Sequence, residues 1–286
     1  MNLLAQSRKQ AKAWGLLLPA FLWTAAFFLT PLAIMALYSL WQRVGSRLVT
    51  ELSLGNYQDF FAKSFLWQSL VNSIEVTVMV TLVSVLLAYP LAWILAERVP
   101  RRWQRLALIL AILPFWTSFL IRVYAWIGIL KKEGLLNLAL TQLGLISEPL
   151  TILNTDTAVY IGIVYSYLPF MVLPLYATLE KMDLSLLEAA ADLGCRPIKA
   201  FWVVTVPLSV PGIVAGCFLV FIPAVGEFVI PDLLGGSETL MIGKTLWSEF
   251  FNNRDWPVSS AVAVILLMIL VIPIVLFQNQ QQKMSE

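Results

Sequence analysis

Uncharged, predominantly apolar runs recur along the chain at 13–42, 76–96, 157–179, 200–226 and 256–282, and a further run at 106–130 is interrupted only by Arg122. A helix needs about 20 apolar residues to cross a bilayer, so the pattern predicts six transmembrane helices and an all-α integral membrane fold. Polar residues collect between the runs. Each run contains proline: Pro19 and Pro31, Pro90, Pro114, Pro169 and Pro174, Pro211 and Pro223, and Pro273. A proline inside a helix frees a carbonyl that a neighbouring helix or a water-lined cavity must satisfy. Proline in every run favours a transporter over a simple anchor.

Composition agrees with this reading, because only 13% of the residues are charged and 59% are apolar, about half the charge of an ordinary soluble domain. The first run follows Arg8, Lys9 and Lys12 but is far longer than the core of a secretory signal, so it is read as a retained anchor. The expected organisation is an N-terminal tail 1–12, one membrane domain 13–282, and a C-terminal tail 283–286. Arg98, Arg101, Arg102 and Arg105 crowd one short loop, and Lys181, Arg196 and Lys199 lie in another on the same predicted side. The basic residues of the opposite side are spread over longer loops. By the positive-inside rule both tails are expected in the cytoplasm.

The chain has no histidine, which excludes histidine-dependent triads and histidine-ligated metal sites. Cys195 and Cys217 lack CxxC spacing, so neither a disulfide framework nor a zinc site follows. A net charge of +2 gives no case for nucleic acid. Gly243-Lys244-Thr245 ends like a phosphate-binding loop, but Glu238 stands where that motif requires its first glycine, so no nucleotide site is expected. No G-x-S-x-G run supports an intramembrane hydrolase.

The loop 180–208 reads EKMDLSLLEAAADLGCRPIKAFWVVTVPL. Ser185 and Glu188 have the spacing of a capping box, helix formers run from Leu186 to Leu193, Gly194 fits the left-handed position after the helix, and Pro197 prevents continuation. The expected product is a helix of about 12 Å. Ala189, Ala190 and Ala191 make a low-relief face beside Leu187 and Leu193. Such a helix either docks into a partner groove or lies on its own bundle.

Glu188-Ala189-Ala190, Gly194 four residues after the alanine pair, and the terminal Pro207 resemble the EAA motif of permease subunits of binding-protein-dependent ABC importers. Val204 and Val206 replace the family's Ile and Leu before that proline. The resemblance implies a type I ABC importer permease fold in a bacterial inner membrane. It also implies a coupling helix whose Glu188, Ala189, Ala190 and Gly194 dock onto an ATP-binding subunit. The implied partners are a dimer of that subunit, a second similar permease and a periplasmic binding protein, in contact with membrane lipid. This chain would be non-catalytic and hold no cofactor, with ATP and magnesium on the partner.

Four charges fall in or at the ends of the apolar runs: Glu75, Arg122, Glu227 and Asp232. Intramembrane charges are costly and usually face a cavity or a partner. In one reading the three acids share a vestibule that attracts a cation, with cation–π help from Trp116, Tyr124, Trp126, Tyr165, Tyr167 and Phe228; the shortlist for a substrate path is Glu227, Asp232, Glu75, Arg122, Phe228 and Tyr165. In the other, Arg122 pairs with Glu75 or Glu227, the remaining acids sit among wet headgroups, and the aromatics are interfacial belt residues. IPAVGEFVIPDLLGG (222–236) and FFNNRDWP (250–257) are similar to polyamine importer permeases, the putrescine type most of all. That similarity implies putrescine, or spermidine, as cargo. An ion-coupled carrier of organic cations, with Glu75, Arg122 and Glu227 as its coupling network, is the alternative. Gly212 and Gly216 form a GxxxG pair suited to close helix packing, either within the subunit or against the second permease.

Overall fold

The computed structural model describes residues 14–285 apart from Leu16, Ser46 and Glu238; the tail expected at 1–12 lies outside the described residues. Each predicted apolar run falls on helix. Among the described residues four helices are continuous, long and apolar enough to cross a membrane: α1 (Leu17–Ser39), α3 (Ser64–Arg98), α7 (Asp156–Leu179) and α9 (Pro197–Val225). The last run lies in α12, Trp256–Ser285, which continues through most of the stretch expected as a C-terminal tail.

The third predicted run departs from expectation. Instead of one helix it forms α4 (Arg101–Trp116) and α5 (Phe119–Leu130), and the segments Arg101–Trp116 and Phe119–Gln142 meet at an 86° bend. Pro114 is the cause: the chain tightens into a 3-10 turn over Leu113–Trp116 and becomes extended at Thr117. A shorter helix, α6 (Leu135–Gln142), follows.

The chain also carries a small strand pair that the apolar pattern does not predict. β1 (Gln42–Val44) and β2 (Arg47–Val49) run antiparallel, with Arg43 opposite Leu48. The reversal begins at Gly45, whose φ of +63° is open to glycine without penalty.

The chain divides into two compact units, one comprising the residues up to Trp67 together with those from Leu246 on, the other Gln68–Thr245. In the first unit α1 packs against α12. A short helix, α2 (Gly55–Ala62), is tied to the end of α1 by buried Asn56, whose Nδ2 donates to the carbonyls of Ser39 (2.9 Å) and Trp41 (2.5 Å). Tyr57 shares a 2.8 Å hydrogen bond with Ser39.

The second unit is built on α7 against α9. Its core includes Val80, Ile163, Met171, Leu175, Val220, Ala224 and Ile230. The GxxxG pair packs inside the subunit: a Cβ on Gly212 would lie 2.5 Å from Thr178 Oγ1, and one on Gly216 would lie 2.5 Å from Met171 Sδ. Leucine at Gly216 is therefore expected to destabilise the purified protein by about 1–3 kcal/mol, the usual cost of overpacking. Ala215→Leu on the exposed side of the same helix should be near neutral; thermal unfolding in detergent compares the two. Opposite such cores the spans expose large apolar side chains, among them Phe27, Leu86 and Leu219, as lipid contact requires.

Two short helices complete the second unit. α10 (Val229–Leu233) follows the end of α9, and α11 (Ile242–Trp247) begins after a loop clamped onto α3, where Ile242 N–H donates to Ser73 Oγ (2.6 Å) and Thr245 Oγ1 to Ser69 Oγ (3.0 Å).

Candidate functional site: a carboxylate-lined cavity and a coupling helix

The chain leaves α9 at Gly226 and turns at once into α10, which places Glu227 between the two helices. Its carboxylate works as the cap of α10. Oε1 accepts the backbone N–H groups of Val229 (2.9 Å) and Ile230 (3.3 Å), while Oε2 accepts the hydroxyl of Tyr167 from α7. A carboxylate offers about four acceptor positions, so three donors leave room for one more. Glu227 is only 7% exposed, and among the described residues it forms no ion pair.

Glu227 lines a cavity of about 670 Å³ together with Arg122, Phe115, Phe119, Ser166, Tyr167, Phe170, Pro223, Gly226, Phe228 and Val229. That volume is within the usual range of small-ligand sites. Tyr167 and Phe170 are one helical turn apart and their rings lie 6.1 Å from each other, forming one aromatic wall.

Arg122 shares the cavity without pairing with Glu227 or Glu75, contrary to the structural reading of the sequence. Its Nη1 donates to the carbonyls of Pro114 (3.1 Å) and Thr117 (2.8 Å), and its guanidinium stands 4.8 Å from the Phe115 ring and 5.9 Å from that of Phe119. The α4–α5 bend explains this choice. Breaking the helix at Pro114 orphans carbonyls, and a guanidinium one helical turn into α5 reaches them.

The other shortlisted residues lie elsewhere. Asp232 is an exposed residue whose partner is Lys244, at 3.7 Å. Glu75 occupies an exposed position on α3. Tyr165 packs edge-on against Trp126, ring centres 5.3 Å apart, in a separate apolar groove with Met79, Val83 and Leu87. The vestibule of three acids is thus not assembled; one carboxylate and one guanidinium share the cavity. Phe228 does line it. Tyr167, named among the candidate cation–π aromatics but not shortlisted, lines it as well, and Phe170, Phe115, Phe119 and Ser166 are among the lining residues that the sequence reading did not name.

The short helix expected in the loop 180–208 also forms, as α8 (Ser185–Asp192). Its start differs from the predicted capping box. Ser185 is already helical, and Asp183 Oδ1 accepts the Ser185 N–H (3.0 Å), an interaction that holds the Asp183 carboxyl below the usual carboxylate range. The chain enters the first turn at Asp183, as the bond from Leu186 N–H to Asp183 C=O shows, so Glu188 lies two residues past the position from which it could reach back. The end follows expectation. Gly194 has φ +76°, its N–H donates to Ala191 C=O (2.8 Å), and Cys195 N–H donates to Ala190 C=O (2.9 Å), a Schellman closure. No residue of α8 is buried; Leu193 after it is 89% exposed and Ile198 is 77% exposed.

Residues 88–285, which include the cavity and α8, match the family model of the binding-protein-dependent transport system inner membrane component. The chain belongs to that family. It is a multi-pass inner-membrane transport component, not an enzyme. The spermidine/putrescine transport system permease protein PotB of Haemophilus influenzae is 40% identical to this permease over 266 residues, covering 93% of this chain and 92% of that protein. PotB of Escherichia coli K12 is 41% identical over 249 residues, covering 87% and 90%. In fold, this permease matches a chain of the bacterial alginate ABC transporter in complex with alginate pentasaccharide-bound periplasmic protein, with a TM-score of 0.77 at 15% identity over 100% of this chain and 98% of that one. The type I importer fold is shared at an identity where cargo need not be.

Proposed function

We propose that this permease forms part of the translocation path of an ATP-driven polyamine importer, with putrescine or spermidine as cargo. The observation that carries the site is the buried Glu227 carboxylate, which lines a cavity and lacks a cationic partner among the described residues. A buried charge of that kind is stabilised by an incoming cation. An ammonium group would take the remaining acceptor position of Glu227, and the alkyl chain would lie along Tyr167, Phe170 and Phe228. Arg122 is held by carbonyls and two phenyl rings, so it does not occupy the cation's place.

The proposed assembly adds a second, similar permease, a dimer of ATP-binding subunits that hold ATP and magnesium, and a periplasmic binding protein that delivers cargo. Both termini lie in the cytoplasm. Glu188, Ala189, Ala190 and Gly194 form the docking surface for the ATP-binding subunit. The exposed apolar residues around α8 support this: among the described residues nothing covers Leu193 or Ile198, and a partner groove would supply that cover. A short helix with both ends closed transmits a rigid-body shift to the spans beside it.

Reconstitution into vesicles tests the proposal. Uptake of radiolabelled putrescine or spermidine is expected only with ATP inside and loaded binding protein outside. Uptake driven by an ion gradient without ATP would establish the ion-coupled carrier instead. Competition between the two polyamines at equal concentration reports which is preferred.

A further inference from the structure

In the first unit, the connection from α1 through the strand pair and the loop before α12 builds a second cavity, of about 560 Å³, from Arg43, Arg47, Leu48, Phe250, Phe251, Arg254, Trp256 and Pro257. Three guanidiniums and no acid line it. Arg43 is fixed: its Nε donates to Gly45 C=O (3.0 Å) and its Nη1 to Asn253 C=O (2.6 Å), joining the strand pair to the loop. Arg254 has φ +52°, a left-handed conformation uncommon for a residue with a side chain. The adjacent acid, Asp255, is directed to the Val258 N–H (3.3 Å). Among the described residues none of the three arginines forms an ion pair.

The position of the cavity indicates what its charge is for. α1, long and apolar enough to cross a membrane, ends at Ser39, and the apolar helix α12 starts at Trp256, so the arginines stand at the ends of two apolar helices, where lipid phosphates would meet a membrane-embedded chain. Tyr38, Trp41, Trp256 and Phe250 form an aromatic cluster there, with ring centres 4.8 Å apart for Tyr38 and Trp41, 6.4 Å for Tyr38 and Trp256, and 6.3 Å for Phe250 and Trp256. Aromatic belts mark that layer.

We propose that this cavity binds the phosphodiester headgroup of an anionic phospholipid. Guanidinium groups take phosphate oxygens in pairs through their planar fork, and the aromatic rings cover the glycerol and the first acyl carbons. The binding tethers the strand pair and the start of α12 to one lipid. It uses none of the residues around Glu227.

Native mass spectrometry of the full-length protein in mild detergent, titrated with phosphatidylglycerol or phosphatidylcholine, tests the site. Arg47→Gln with Arg254→Gln is the informative pair, because Arg43 keeps its structural bonds. At about 1 kcal/mol per interfacial arginine, the pair is expected to weaken the first phosphatidylglycerol adduct roughly 30-fold and leave phosphatidylcholine adducts unchanged. Arg47→Lys with Arg254→Lys should restore most of the loss. Each single Gln variant, expected to weaken binding about 5-fold, replaces the pair if the pair does not fold. Unchanged phosphatidylglycerol binding in the Gln variants would overturn the proposal. So would displacement of the lipid by soluble glycerol phosphate at matched concentration, which would make this a free-anion site. Intact lipid binding with weakened capture of the loaded binding protein would make it a protein-docking face and overturn it equally.

Discussion

Glu227→Gln is expected to cut polyamine uptake at subsaturating substrate while leaving the fold intact. The amide oxygen of glutamine can still accept the Val229 and Ile230 N–H groups that Glu227 Oε1 accepts, so the cap of α10 survives. What changes is the charge, together with the Tyr167 contact, where the amide NH2 replaces the oxygen that accepted the hydroxyl and Tyr167 turns from donor to acceptor. Removing one member of a buried, hydrogen-bonded charge pair costs about 2–5 kcal/mol, and an ammonium ion that loses its carboxylate in this cavity should bind roughly 30- to several-thousand-fold more weakly. The measurement is the concentration dependence of uptake in reconstituted vesicles, with thermal unfolding of the same preparation alongside. A raised half-saturation concentration at unchanged melting temperature supports the cation site. Normal uptake kinetics would reduce Glu227 to a helix cap.

The second large effect is expected at α8. Leu193→Asp places a charge on the most exposed apolar side chain beside that helix, and burying it unpaired against a partner should weaken docking of the ATP-binding subunit by about 2–4 kcal/mol, the scale of an interface hot spot. Co-purification from detergent should fall roughly 30- to 1,000-fold in affinity terms, and uptake should stop. Gly194→Val attacks the same surface by another route, since a β-branched residue resists the +76° φ that the Schellman closure requires, at roughly 1–2 kcal/mol. Thermal stability of the isolated permease separates the two. Leu193→Asp should leave it unchanged because that side chain is 89% exposed, whereas Gly194→Val should lower it slightly. Full retention of the ATP-binding subunit by both variants would remove α8 from the docking role.

The two sites were legible in the sequence to different degrees. α8 was nearly complete there, because a helix stop of glycine followed by proline is local chemistry: the left-handed residue and the two carbonyls it satisfies lie within six positions. Its start was misread, since Ser185 with Glu188 and Asp183 with Ser185 are both plausible local caps, and the turn entered two residues early selects the second. The Glu227 cavity was only partly visible. A charge in an apolar run announces itself, but whether Asp232 meets Lys244 or Glu227 depends on side chains from distant segments. Tyr165 and Tyr167 differ by two positions and so point to nearly opposite faces of α7, and hydropathy does not tell which face meets α10.

Hydropathy and length determined by themselves that this is a helical membrane protein with six apolar segments, because burying uncharged runs in lipid is a property of composition and spacing. The EAA resemblance pointed to the family that the match over residues 88–285 shows. Tertiary structure alone decided that the third segment bends by 86° at Pro114 and that Arg122 answers the carbonyls exposed there, not an acid. It also decided that Gly212 and Gly216 serve contact with α7, and that Glu227 stands without a counter-ion among the described residues. The reason is common to all of these. Where water is scarce a polar group must find its partner within the protein, and which partner is in reach is set by helix packing between residues far apart in the chain.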